Sequence, residues 1–405
     1  MDVGFIGLGK LGLPVALAVE SKGHRVYGYD VSPAVTDAIN DRKLRYTEEG
    51  AAALLKKTAL QLTSVADMVS KCDIIFCAVH TPHDPKYEGI TPVPDEDADF
   101  DYRHLKDACA AVSSEATRQD KPVVMAVIST VLPGTIYRDI MPTLSDNVSI
   151  VYNPFFIAMG TAIQDFLHPE FVLLGVRRKE AAELVERFYK TITDAPVRRM
   201  SIPSAELTKV AYNTFISMKI GVVNTLMEIC HKTPGASVND VTDALKIATR
   251  RIVSPAYMTA GMGDGGGCHP RDNIAMSYLA DKLKLSFNPF RALMKGRDAQ
   301  AEWLAAITMK AAKESNLPIV IMGRSFKPET NIETGSAALL VAHYIDGDYK
   351  HYDRLLPGYP AVYLIATQHQ QFAEEKFPIG SVVVDPFRYI PGSPGVRLIR
   401  IGEYL

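Results

Sequence analysis

Apolar positions come in short runs separated by amphipathic stretches. Asp2 to Ile6 reads as a strand, Pro14 to Ser21 as a helix apolar enough to lie on a sheet, and His24 to Tyr29 as a second strand ending at Asp30. Further runs at Ile74 to Val79, Val123 to Ser129, Ser149 to Tyr152 and Val172 to Gly175 predict buried strands, with helical patterns between most of them. Strands alternating with helices predict a parallel, doubly wound sheet. Residues 83–101 are rich in Pro and acids and predict a loop inserted after a strand.

From Ser204 to about Lys232 the pattern is the best helix in the chain. It has no Pro, a single Gly (Gly221), and apolar residues around much of its circumference. Such a helix is expected to be buried, between domains or subunits. The Gly-rich stretch 261–267 must be a loop. A second helical run, about Arg291 to Ser315, leads to a strand at Pro318 to Met322. Ala337 to Tyr344 then reads as helix, and Ala361 to Ala366 and Ser381 to Val384 as strands. The expected organisation is two α/β domains around a helical middle, divided as 1–200, 201–315 and 316–405. No fixed-period repeat is visible.

Composition narrows the classes. The 405 residues suit two or three domains, and 44 Lys+Arg against 46 Asp+Glu argue against a broad nucleic-acid or anionic-membrane surface. No apolar run reaches the roughly 18 residues of a membrane span. Five Cys without a CxxC pair suggest neither a disulfide framework nor a structural zinc site. With no signal-peptide pattern at the start, the expectation is a reducing cytoplasm.

Candidate chemistry sits at four places. Gly7, Gly9 and Gly12 form a Gly-x-Gly-x-x-Gly turn between strand and helix, with Asp30 18 residues beyond Gly12. That context is what a dinucleotide needs: glycines let the backbone approach a pyrophosphate, and the helix N-terminus supplies N–H donors. Asp30 can accept from a ribose 2′-hydroxyl and would repel a 2′-phosphate, which points to NAD over NADP; the alternative is a structural glycine turn. Ser129 to Thr135 (STVLPGT) follows a strand, so its hydroxyls either face a ligand or cap a turn. Lys209 and Asn213 share a helix face; Lys209 must snorkel, pair or serve a site, and Glu206 could simply pair with it. Gly261 to Asp272 (GMGDGGGCHPRD) exposes Cys268 on a pliable loop. Arg271 or Lys209 could stabilise its thiolate and Asp272 could act as a base, or the thiol is incidental. A pair between Cys268 and His269 carries little weight, because neighbours on an extended loop point apart. The other cysteines, Cys72, Cys77, Cys109 and Cys230, read as filler.

Six ordered segments together resemble the UDP-glucose/GDP-mannose dehydrogenase family over nearly the whole chain. They are GFIGLGKLGLPVALAVESKGHRVYGYD, CDIIFCAVHTP, ISTVLPGT, AELTKVAYNTF, GMGDGGGCHPRD and IMGRSFKPET. The resemblance implies an α/β fold of two Rossmann-like domains joined by a central helical domain with one long helix. The activity it implies is oxidation of the C6 alcohol of a nucleotide sugar to the carboxylate with two NAD. NAD would be held by Gly7, Gly9, Leu11, Gly12, Asp30, Thr81 and Thr130. Cys268 would form a thiohemiacetal and then a thioester, Lys209 and Asn213 would hold the oxyanion, Asp272 would assist proton transfer and Thr130 would position reactants. Phe156, Ile157, Lys209, Asn213, Gly263, Phe326 and Lys327 would meet the substrate, with Lys327 at the diphosphate. Arg251 would enter the neighbouring subunit's site, implying a homodimer through the long helix.

The chain departs from the family in two places. The family's Asn-Pro-Glu-Phe-Leu-x-Glu-Gly is here Asn153 to Gly160 (NPFFIAMG), so Phe155 and Met159 replace two carboxylates. A general base contributes roughly 10²–10⁴-fold, and thioester hydrolysis should suffer most. In the last domain Thr334 replaces an expected Arg, and the stretch from Asp353 to Pro360 is too short for the usual helix and strand. Three readings follow: a nucleotide-sugar dehydrogenase of altered specificity; a two-electron hydroxyacid or alcohol dehydrogenase; or a non-catalytic nucleotide-sugar-binding relative. Retention of Cys268 argues against the second, and retention of Lys209, Asn213, Cys268 and Asp272 against the third.

Overall fold

In a computed structural model describing residues 1–82, 98–254, 256, 259–264, 269–328 and 330–403, two sheets are present among the described residues. The first contains β1 (Asp2–Ile6), β2 (Arg25–Tyr29), β3 (Gln61–Leu62), β4 (Ile74–Cys77), β5 (Val123–Val127), β6 (Val148–Tyr152), β7 (Val172–Val176) and β8 (Val197–Met200). Their order is β3-β2-β1-β4-β5-β6-β7-β8. Every residue of β4 and β5 is buried, as expected for strands covered on both faces. The Gly12–Ser21 helix buries Gly12 to Val19 without a break, so its sequence reads apolar all round.

One expectation is corrected here. The sheet is not wholly parallel, because β6 and β7 pair antiparallel while β7 and β8 are again parallel. Apolar runs mark strands but not their direction. Direction depends on the end of the sheet at which the connection re-enters, and the segment after Tyr152 re-enters at the end it left.

The second sheet holds β9 (Ile319–Met322), β10 (Tyr349–Tyr352), β11 (Val362–Ile365), β12 (Val382–Asp385) and β13 (Arg397–Arg400), in the order β10-β9-β11-β12-β13 and parallel throughout. The edge strands β10 and β13 are polar and half exposed, and so lack the run that predicted the inner three. This sheet repeats a turn of the first. Gly7 (φ +88°) donates its N–H to Tyr29 O at 2.9 Å, and Leu8 N–H reaches Asp30 Oδ2 at 2.7 Å. Gly323 (φ +91°) likewise donates to Tyr352 O at 2.8 Å, and Arg324 N–H reaches Asp353 Oδ1 at 3.2 Å. The repeat is one of geometry, which a search for sequence periodicity misses.

The chain divides into two compact units, Met1–Ser217 and Met218–Leu405. The longest helix, Ile202–His231, contributes to both. In the single chain its buried residues lie near its ends. Along the middle, Phe215, Met218, Ile220 and Met227 are about half exposed in the single chain. Among the described residues no helix is long and apolar enough to cross a membrane.

His24, nearly buried just before β2, shares a hydrogen bond of 2.8 Å between Nε2 and Thr191 Oγ1. Burial lowers its pKa below the ordinary 6.5. The unfolded chain therefore binds this proton at a pH where the folded chain does not, so the stabilisation is full above pH 6.5 and is lost as pH falls below it. The thermal midpoint is expected to fall between pH 7.5 and 5.5 by a larger step in the wild type than in His24→Gln. Equal steps would count against the assignment.

Candidate active site

The glycine turn after β1 meets the steric demands of a dinucleotide. A Cβ on Gly7 would lie 2.8 Å from Ala78 O, and one on Gly12 would lie 2.0 Å from Gly7 O. A Cβ on Gly9 would meet nothing within 4 Å, leaving open space where a pyrophosphate would approach. Leu11 is the N-cap residue of the helix beginning at Gly12. Asp30 accepts from Leu8 N–H through Oδ2 and from Ser32 N–H through Oδ1 at 2.8 Å, which fixes its carboxylate at the end of β2. Turn, helix start and acid fit NAD.

The next wall comes from the segments after β4 and β5. Thr81 is nearly buried, and its hydroxyl donates to Thr130 O at 2.8 Å. Ser129 Oγ donates to Val79 O at 2.6 Å, and Leu132 N–H reaches Tyr102 Oη at 3.2 Å. The Ser129–Thr135 segment is thus a pinned loop at the carboxyl end of the sheet. These bonds are the turn chemistry expected of its Ser and Thr residues.

After β6 stands the departure noted in the sequence. Phe155 is only 8% exposed, with its ring 5.4 Å from that of Phe166 and 6.5 Å from that of Phe76. The Phe155 side chain lies in the core, and its backbone carbonyl is left to accept a hydrogen bond. Lys209 Nζ donates to that carbonyl at 2.7 Å. Lys209 does not snorkel; it is 8% exposed, its ammonium stands 5.2 Å from the Phe156 ring centroid, and burial lowers its pKa below 10.5. Phe156 packs edge-on against Tyr212 at 4.7 Å, and Ile157 lines a small apolar pocket with Phe155, Phe156 and Phe166. Asn213, one turn beyond Lys209, is exposed.

Glu206 does not pair with Lys209, contrary to that simple expectation. It is fully buried, with Oε2 accepting from Gly134 N–H at 2.5 Å and Oε1 from Ile136 N–H at 2.8 Å. The two amides stand in a turn that leaves them in need of acceptors, and a carboxylate has two oxygens to offer. The signal in the sequence was an acid on an otherwise apolar helix; its partners lie about 70 residues away.

The remaining candidates belong to the second unit. Cys268 and Gly265 to Gly267 lie outside the described residues, as do 83–97 of the acidic loop. The loop leading to them is tethered. Gly261 O accepts from Gln300 Nε2 at 2.9 Å, Ala260 O from Arg388 Nη2 at 2.5 Å, and Asp264 pairs with Arg297 at 3.0 Å. Gly263 is close-packed, since a Cβ there would lie 3.0 Å from Gln300 Oε1. His269 Nδ1 stands 3.8 Å from Asp264 Oδ2. Asp272 sits in the first turn of the His269–Lys282 helix, where the helix dipole favours a carboxylate. Arg251 is exposed. At the carboxyl end of β9, Phe326 is half-buried and Lys327 exposed, with the ammonium 5.4 Å from the Phe326 ring. Arg324 closes this loop on Glu333 with two bonds, 2.7 and 3.1 Å, and Thr334 is exposed beside it. Cys72, Cys77 and Cys109 are buried, and burial pushes the Cys72 thiol up to about 12, which removes it as a nucleophile.

Comparison with known proteins identifies the family. Residues 1–193 match the UDP-glucose/GDP-mannose dehydrogenase family, NAD binding domain, and residues 203–296 the same family's central domain. A curated relative is the GDP-mannose 6-dehydrogenase of Pseudomonas aeruginosa, 26% identical over 420 aligned residues that cover 100% of this chain and 92% of that protein. Another is a UDP-glucose 6-dehydrogenase of Haloferax volcanii, 27% identical over 362 residues, 85% of this chain and 81% of that protein. The crystal structure of a ternary complex of the Pseudomonas aeruginosa GDP-mannose dehydrogenase superposes with a TM-score of 0.86. It covers 98% of this chain and 99% of that one at 23% identity, a likeness of fold. With its dinucleotide turn in a matching NAD-binding domain, the chain is an NAD-dependent oxidoreductase acting on CH–OH and belongs to the UDP-glucose/GDP-mannose dehydrogenase family.

Proposed function

We propose that this enzyme oxidises the C6 primary alcohol of a nucleotide sugar to the carboxylate in two steps, as the names of its 6-dehydrogenase relatives suggest. The observation that carries the reading is the buried Lys209 ammonium at the carboxyl end of the NAD-binding sheet, on the helix that also bears Asn213. NAD, when bound, accepts a hydride from C6 in each oxidation. The chain's own residues do the rest. Lys209 and Asn213 donate to the oxygen on which negative charge develops. The Cys268 thiolate adds to the aldehyde carbon, and the oxygen takes a proton as the thiohemiacetal forms. The second oxidation leaves a thioester on Cys268; water adds to its carbonyl carbon, the carbon–sulfur bond breaks and the thiolate is restored. Asp272 takes and returns protons, and Thr130 holds the reacting groups in place. The nucleotide rests on residues 316–405, with Lys327 at the diphosphate and Phe326 beside it. Specificity is altered by Thr334 and the short 353–360 connection.

The exposed apolar middle of the long helix supports a homodimer formed through it, with Arg251 reaching the neighbouring subunit's site. The enzyme would work in the cytoplasm, where its cysteines stay reduced. One observation favours a second reading. With the Phe155 ring in the core, no carboxylate occupies that position to activate water, as suits a two-electron dehydrogenase. NADH released per limiting sugar, across UDP-, GDP- and dTDP-sugars, separates the two. Two NADH per sugar are expected. One would establish the shorter reaction, and none with any sugar would point to a binding protein.

A further inference from the structure

We infer that Glu206 is a positioning residue that holds the Thr130 loop at a set distance from Lys209, and so sets the geometry of hydride transfer. The inference rests on the reaction proposed above. Glu206 and Lys209 are three residues apart on one helix and grip two different loops. Glu206 accepts from Gly134 and Ile136 beyond the end of β5, and Lys209 donates to Phe155 O beyond the end of β6. Adjacent parallel strands carry both loops at their carboxyl ends. The first loop is held on its other side by Thr81 at Thr130 O. Thr130 therefore stands between a clamp to the cofactor side and a clamp to the helix that bears the ammonium.

The chemistry of the clamp suits this role. A fold contact between a helix and a loop needs only apolar packing, whereas a fully buried carboxylate carries a desolvation cost that its hydrogen bonds must offset. Here each carboxylate oxygen takes one of the two amides, so a single side chain holds residues 134 and 136. Its reach fixes the loop in two directions at once. Displacement of about 1 Å in a reacting pair can cost as much as 100-fold in rate.

The test compares wild type, Glu206→Gln and Glu206→Asp as purified full-length enzymes. Gln keeps one acceptor and turns an N–H toward the other amide; Asp keeps the charge but is one methylene too short to span both. The measurements are kcat, KM for the sugar, the thermal midpoint, and the deuterium isotope effect on kcat with sugar labelled at C6. The expected result is a kcat lowered by roughly 10- to 100-fold, a KM within about twofold, a midpoint within a few degrees, and an isotope effect larger than in the wild type. The larger isotope effect is the decisive reading, since a loss of folded protein lowers activity without changing it. Unchanged kcat, an unchanged isotope effect in a slower enzyme, or failure of both variants to fold would each overturn the inference. If the wild type itself released no NADH with any sugar, the proposed reaction would fall first and this inference with it. An active wild type with indifferent variants would overturn the inference alone.

Discussion

A Cys268→Ser enzyme is expected to lose carboxylate formation by more than about 10³-fold while still binding NAD. The reason is the difference between the two oxidations that the proposed reaction would comprise. The first removes a hydride from C6 and a proton from its oxygen, and needs no covalent bond to the protein. The second needs a carbon that again bears both hydrogen and an oxygen with a proton to lose, which a thiolate creates by adding to the aldehyde. A serine hydroxyl is far less nucleophilic near neutral pH, because almost none of it is ionised. At most one NADH per sugar should therefore appear, with aldehyde trapped by hydroxylamine. Two NADH per sugar at an unchanged rate would remove the thiol from the pathway. One NADH at an unchanged rate in both enzymes would instead make this a two-electron dehydrogenase.

Lys209→Met should have the second largest effect. Methionine nearly matches the shape of the lysine stem, so the apolar surroundings of Phe156 and Tyr212 can accept it. What it removes is the ammonium. Loss of one preorganised donor to a developing oxyanion costs roughly 10²–10³ in kcat, and that fall is expected with little change in KM for NAD. The wild-type pH profile carries the same argument. Burial penalises the charged form, so Lys209 gives up its proton at a lower pH than an ordinary lysine with its pKa of 10.5. If the protonated form is the active one, kcat falls as pH rises through that lowered value, and the alkaline limb should be absent from the residual activity of Lys209→Met. A variant with unaltered kcat would show that the ammonium serves only Phe155 O.

Much of this molecule is legible along the chain. The strands at Asp2, Ile74, Val123 and Val172 announce themselves because strands covered on both faces are continuous apolar runs, whichever way they pair. The glycine turn and Asp30 are readable because a dinucleotide constrains a few adjacent backbone positions, and the constraint is local. Lys209 stands out as a charge on an apolar helix, and the loss of carboxylates at Phe155 and Met159 is visible as soon as the surrounding frame is matched. Each of these signals lies within a few residues of the feature it reports.

Other features depend on residues far apart. The antiparallel pairing of β6 with β7 follows from the path of the connecting segment, which hydrophobic pattern does not encode. The polar edge strands β10 and β13 gain their hydrogen bonds from a neighbour, not from their own side chains. The second glycine turn, at Gly323, matches the first in hydrogen bonding though Arg324 and Ser325 share little with Leu8 and Gly9. Glu206 looks like a partner for Lys209 three residues away, yet folding brings it the amides of Gly134 and Ile136 and sends the lysine to a carbonyl. Local sequence limits what a side chain can do. Which of several acceptable partners it takes is settled by burial, where an unpaired donor or acceptor is costly and the packing of distant segments decides which group is within reach.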